Sequence, residues 1–301
     1  PGGECYVMSE AEILRLYREA DAFLNVTGAQ EIRDEHLACP RRIYVESDPF
    51  PCQVGVALGN AKTIATLAAH DTHFTFGENL HAADCAVPVE RFHWQPTRQP
   101  VVMDLWDPGD ARSTNPAYTT ITTWHNKGKD IEYQGETYYW TKDREFMKVI
   151  DLPARSPAPL ELALGVNEEV ARMLSEHGWR QVNSVDISRD FDRYRKYIQG
   201  SRGEFTVARD QYVRPNTGWF SDRSACYLAA GRPVITQETG FSKYLPTGNG
   251  LFGFKTVEDI LASIEAIETD HAAHCRAARE LAAEYFAAEK VIGSLMERAG
   301  L

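Results

Sequence analysis

The stretch 201–254 holds the densest set of residues able to do chemistry. Gly218 permits a tight turn, after which Ser221, Asp222 or Ser224 can cap a compact helix of small side chains over 225–230. Gly231 ends that helix, Pro233 enters a strand, and Val234 and Ile235 read as buried. A helix N-terminus preceded by Gly and Ser presents free N–H groups and the positive end of a dipole, which suits a diphosphate. Arg223 can add a charge-assisted bond. The strand runs into Gln237-Glu238-Thr239-Gly240. Ligands of open α/β sheets bind outside the carboxyl ends of strands. Glu238, with Thr239 and Gly240 beside it, therefore sits where a carboxylate accepts hydrogen bonds from sugar hydroxyls. The plainer reading of helix–Gly–x–Pro–strand is a common α/β connection without a site.

If the chemistry activates a hydroxyl, a general base must lie within hydrogen-bond reach of it. The local cluster with the right groups is His70-Asp-Thr-His-Phe-Thr-Phe-Gly-Glu-Asn79, in which a strand carrying His73 leads to Gly77 and Glu78. Asp48, at another strand end before Pro49, is the second candidate. Each is also an ordinary loop or capping residue. Arg202 and Glu204 read either as a phosphate ligand with its fixing carboxylate or as a structural ion pair. No metal site is expected. His70 and His73 are two ligands where zinc needs three or four, and His271, His274 and Cys275 read as a solvated helix face. There is no Asp-x-Asp motif.

Short strands alternating with amphipathic helices must position these groups, which places the chain in the α/β class with largely parallel sheets. Strands are expected at 23–26, 42–46, 73–76, 101–106, 118–124 and 232–236. The span between 76 and 101, with Pro88 and Pro96, reads as irregular. Capping patterns at Ser9, Asn167 and Thr256 open helices, another opens at Ser188, and an alanine-rich helix from about 270 breaks near Ala287. The Gly/Pro/Ser/Asp-rich run 107–116 is the linker candidate. The division that follows is 1–108, 109–283 and a terminal helix, 284–301, that packs back on the first part or caps the second.

The totals narrow the classes. A chain of 301 residues with 43% hydrophobic and 25% charged content has material for two cores. A net charge of -11 disfavours nucleic acid and anionic membranes as partners. No run is long and apolar enough to span a bilayer. The six cysteines form no C-x-x-C pair and read as free thiols of a reducing compartment, hence a cytoplasmic location. The chain opens at Pro1 with no evident first strand.

LAAGRPVITQETGF at 228–241, followed by LPTGNGLFGFKTVEDILASIEAI at 245–267, resembles the C-terminal donor-binding domain of GT-B glycosyltransferases. The resemblance covers about 117–300 well and 10–106 loosely. It implies two Rossmann-like domains facing across a cleft, and transfer of a sugar from a nucleotide diphosphate sugar to an unidentified acceptor. It places the loop after the strand ending at Trp124, with Lys127 or Lys129, against the donor phosphates. Lys127 would then offset leaving-group charge without a metal or other cofactor. Cys226 stands where many retaining members carry Glu, so the donor base and the stereochemical outcome stay open. The strand and Gly-rich loop that usually open this fold are not visible, which implies missing N-terminal sequence. A nucleotide-sugar epimerase or phosphorylase of the same fold, and a non-catalytic sugar- or nucleotide-binding module, are the alternatives.

Overall fold

A computed structural model of the chain describes residues 7–107, 113–126 and 128–301. Twelve strands occur among them. A first parallel sheet takes β1 (Phe23–Val26), β2 (Arg42–Glu46), β3 (Thr72–Thr75) and β4 (Trp94–Pro96), in that spatial order. A second is built from β5 (Tyr118–Ile121), β8 (Leu160–Leu164), β9 (Arg180–Asn183), β10 (Gly203–Thr206), β11 (Val234–Gln237) and β12 (Leu251–Phe254). Between β5 and β8 lies an antiparallel hairpin, β6 (Ile131–Tyr133) and β7 (Glu136–Tyr138).

The second sheet has the order β12-β11-β10-β5-β8-β9, all neighbours parallel. The chain winds one way from β5 through β8 to β9, then crosses back and winds the other way from β10 to β12. That reversal leaves a crevice at the carboxyl ends of β5 and β10, the topological switch point where such sheets hold ligands.

Local signals set the flanking helices. Asn60 caps Ala61–Ala68 by accepting from Thr63 N, and Asn167 caps Glu168–Glu176 through Val170 N. Thr256 and Asp259 form a capping box that opens Val257–Thr269. The helix expected from Ser188 begins later, at Phe191, because Asp190 takes the cap. Residues 101–106 make no strand. The run does not alternate, only Val101 pairs, with Ala287, and a 3-10 turn at Met103–Trp106 sinks Trp106 into the core. Strand β4 was hidden by its proline, which an edge strand tolerates at its end.

The alanine-rich stretch is two helices, His271–Tyr285 and Ala288–Arg298. Leu295 of the latter is buried against Ile43, Val45 and Phe74 of the first sheet. Among the described residues no helix is long and apolar enough to cross a membrane.

Candidate functional site

Loops from both sheets meet at the switch point. Asp48, just past β2, accepts from the Tyr212 hydroxyl in a short bond and from Arg209 Nη1 at 2.9 Å. Trp219 Nε1 donates to the Ser47 carbonyl at 2.9 Å. Gly218 has φ 77, and a Cβ there would lie 2.5 Å from Asn79 N, so only glycine lets the two loops approach this closely. Between the loops is a cavity of about 370 Å³ lined by Asp48, Lys142, Arg209, Ser221, Asp222 and Arg223, among others.

Its positive charge comes from two residues. Arg209 follows β10 at the switch point; its guanidinium lies 3.6 Å from the centre of the Trp140 ring and donates to Tyr212 Oη at 2.6 Å. Arg209 Nε is buried without a partner. Lys142 comes from the turn after the hairpin. Thr141 Oγ1 and Asp143 N both donate to the Trp124 carbonyl, at 3.0 and 2.9 Å, and pin that turn to the chain leaving β5. The lysine is buried, and no hydrogen bond or ion pair holds its ammonium among the described residues. Burial, then the like charges of Arg223 and Arg209, hold its ammonium well below the ordinary lysine range. An anion in the cavity would reverse that.

The helix Asp222–Ala229 starts at the same cavity, with Ser221 as its N-cap residue and no side-chain capping bond, so its first N–H groups are uncommitted. Burial, with Asp48 adding to it, pushes the Asp222 carboxyl up to about 6. The cavity can therefore surround an anion with two cations and a helix N-terminus, facing a carboxylate from the other sheet.

No family model matches the chain, and no curated protein matches its sequence. Solved structures do match its fold. AviGT4, a glycosyltransferase involved in avilamycin A biosynthesis, superposes with a TM-score of 0.58 at 11% identity, over 96% of this chain and 77% of that one. Alr3699/HepE of Anabaena in complex with UDP-glucose gives 0.58 at 10% identity, over 96% and 81% of the two chains. A trehalose-6-phosphate synthase gives 0.54 at 9% identity, over 86% and 68%. The chain has the GT-B glycosyltransferase fold. Its two parallel sheets are the cores of two Rossmann-like units.

The GT-B cleft brings together Asp48, Ser221, Asp222 and Arg223 of the residues singled out from sequence. Arg223 is nevertheless held from behind: Nε donates to Glu204 Oε1 at 2.6 Å, Nη1 to the Ile121 carbonyl and Nη2 to Thr206 Oγ1, both at 2.8 Å. Glu204 is thus the buried counter-ion of Arg223. Arg202 points from the opposite, amino end of β10 and is bidentate to Glu268, at 2.9 and 2.6 Å; this is the structural-pair alternative, with another partner.

Trp124 is core, stacked on Phe146, and acts on the cleft only through its carbonyl. Ser224 Oγ is buried and unpartnered within the helix. Glu238 folds back to accept from Gly240 N at 2.6 Å, Thr239 Oγ1 donates to the Trp219 carbonyl, and Gly240 at φ 97 packs on Asn216 and Asn79. These three fasten the cleft loops to each other and do not line the cavity.

His73 is buried beneath Tyr44, Phe92 and Trp94 with Nε2 on the Leu67 carbonyl at 2.8 Å. Glu78 is bidentate to Arg98, at 2.7 and 2.8 Å, in a separate cavity beside the terminal helix. Neither reaches the cleft, because the chain after β3 turns toward Asn216 and Thr217 and not toward Asp48. Lys127 lies outside the described residues. Among those described, no group of three or more His, Cys, Asp and Glu is placed to hold a metal ion.

Sequence reasoning missed Lys142, Arg209, Trp140 and Tyr212. Arg209 had a signal, since it stands three residues past Thr206, the end of β10. Lys142 had none, because its place depends on how the hairpin folds over the sheet.

Proposed function

We propose that the cleft binds a nucleotide diphosphate sugar and that the protein is a glycosyltransferase. The observation that carries this reading is Lys142: a buried lysine with no ion-pair partner among the described residues, beside Arg209 and a helix N-terminus at the switch point. A diphosphate supplies the missing countercharge. HepE, of the same fold, was solved with UDP-glucose.

In this reading Lys142, Arg209 and the N–H groups of the helix Asp222–Ala229 stabilise the charge that builds on the departing diphosphate. The acceptor oxygen bonds to the anomeric carbon, the bond from that carbon to the phosphate oxygen breaks, and its electron pair leaves with the nucleoside diphosphate. Asp48 takes the acceptor's proton. Its Oδ1 is engaged by Tyr212 and Arg209, and its Oδ2 accepts from the Ser47 hydroxyl at 3.0 Å, which leaves room for a second donor. No metal is needed to offset the leaving group. Residues 1–108 form the acceptor side, 109–283 the donor side, and 284–301 the helix that returns to the first sheet.

The test is a thermal-shift series with UDP, GDP, dTDP, ADP and their glucose conjugates. A ligand at a hundredfold excess over its dissociation constant stabilises the fold by about 2.7 kcal/mol. One nucleoside diphosphate should raise the midpoint in the wild type and not in Lys142→Met. No rise with any of them sinks the proposal. Turnover of the effective sugar nucleotide, lost in Asp48→Asn while binding persists, separates a transferase from a binding module.

A further inference from the structure

Next to the cationic cavity lies a second one of about 480 Å³, and the two share Ser47 and Asp48. It opens on the first-sheet side, and its wall includes Glu46, the last residue of β2. Glu46 is 2% exposed. Its Oε2 accepts from Gln53 Nε2 and from Thr75 Oγ1, both at 2.7 Å. Neither donor has an alternative. The Gln53 carbonyl is taken by Phe50 N at 2.7 Å, which fixes which way the amide faces. Thr75 Oγ1 itself accepts from Gly77 N at 3.0 Å, so its proton goes to Glu46. Glu46 Oε1 accepts no N–H or O–H, and beyond those two donors only the Cys52 thiol faces that carboxyl.

An unmatched buried polar atom costs on the order of 1–3 kcal/mol, so one at a cavity wall asks for an explanation. A second feature lies in the same turn. Phe50 adopts φ 97 and ψ -53, a conformation that side chains rarely take. Gln53 holds that turn from one end of its amide and Glu46 from the other. The strained turn carries the chain away from Asp48, so the two carboxylates are fixed as a unit.

We propose that this second cavity is the acceptor subsite, that it takes a neutral, hydroxyl-rich molecule of sugar size, and that Glu46 fixes the acceptor hydroxyl beside Asp48. The proposal rests on the sugar-transfer reading given above. The charge on the wall selects the class. Asp48 and Asp130 contribute carboxylates, Glu46 contributes a carboxyl group that burial holds toward its neutral form, and Lys129 is drawn over the Trp140 ring at 4.8 Å. A phosphate or carboxylate on the acceptor would meet more repulsion than attraction here, whereas hydroxyls meet Thr27, Asn60 and Thr63.

Protonation supports the same picture. Burial pushes the Glu46 carboxyl up to about 8, with Asp48 adding to the effect and the bonds from Thr75 and Gln53 opposing it. Cys52, whose thiol burial also raises, faces the same carboxyl. With Oε2 accepting twice, Oε1 is the oxygen left to carry the proton of the neutral acid.

The experiment is saturation-transfer NMR with methyl glucoside, methyl galactoside, glucose 6-phosphate and glucuronate, with and without UDP. Neutral glycosides should bind and the two anions should not. Thr63→Trp, which fills the cavity from its helical wall, should lose binding by tenfold or more, roughly one hydrogen bond's worth or above. Glu46→Gln, which still offers a donor, should stay within about threefold, and Glu46→Leu should behave like Thr63→Trp. The thermal shift induced by whichever nucleoside diphosphate stabilises the wild type should be unchanged in all three, which also reports that they fold.

Preference for the anions, no glycoside binding by the wild type, or unaltered glycoside binding in Thr63→Trp overturns the proposal. Failure of the donor reading shows differently, as absence of a shift with UDP, GDP, dTDP and ADP alike in the wild type.

Discussion

The carboxyl ends of the two sheets meet at one cleft, and one brings basic groups to it where the other brings carboxyl groups. The second sheet contributes Lys142 and Arg209, and the first contributes Glu46 and Asp48. The contrast extends to how the charges are supported. On the second-sheet side Arg223 is neutralised by Glu204 and tied to β5 and β10, and so acts as scaffold for the lysine beside it. On the first-sheet side no cation backs Glu46; two neutral donors hold it, and one oxygen is left over. A charge held without a partner points to a ligand, whereas a charge held with one points to the fold. That distinction separates Lys142 from Arg223, although both are buried within one cavity wall.

Breaking the scaffold should have the largest effect. Arg223→Met leaves Glu204 buried and uncompensated, which costs about 3–5 kcal/mol; urea unfolding should show it as a lower midpoint with an unchanged slope. Lys142→Met removes a buried amine that no partner satisfies and should leave the urea midpoint equal or higher. The same variant should lower turnover of the sugar nucleotide by about a hundredfold or more, the scale of one lost transition-state donor.

Proton linkage sharpens the comparison further. Because Lys142 is held low until an anion arrives, nucleotide binding should take up protons, read as a buffer-dependent heat in calorimetry. Lys142→Met should abolish most of that uptake. A heat independent of buffer would refute the role given to the lysine.

Stability should also fall with pH on the acidic side. Glu46, near 8 when folded and near 4.3 when unfolded, binds more protons in the native state between those values. Its contribution is complete below about pH 4 and is lost as pH rises through about 8. Asp222, pushed up to about 6, adds the same sign over a narrower window. Glu46→Gln should flatten the decline between pH 5 and 8, measured by thermal midpoint. The smallest effect is expected at Arg202→Ala, which breaks a partly exposed pair with Glu268: about 1 kcal/mol or less, with nucleotide binding untouched.

Much of the fold was legible because its signals are local. Capping residues at Ser9, Asn167 and Thr256, and the glycine and proline around β11, mark element ends whatever the rest of the chain does. Strand β4 and the turn at 103–106 were misread where one residue outweighed context: Pro96 reads as a breaker but sits at a sheet edge, and Val101 reads as a strand but pairs only with Ala287. The site was legible in part. Asp48 and Ser221 lie at element ends that the sequence marks. His73 and Glu78 look equally well placed, yet the fold buries one and pairs the other.

The sequence by itself determined the α/β alternation, the helix that opens at Ser221 and the motif of 228–267 that resembles GT-B donor domains. All of these depend on residues within a few positions of each other. Only the tertiary structure decided which charges are spent on one another. Arg223 meets Glu204 across 19 positions and Asp48 meets Arg209 across 161, and Lys142 meets neither. Partnering across such distances follows from which strands lie side by side, and that order is fixed by burial of two whole sheets.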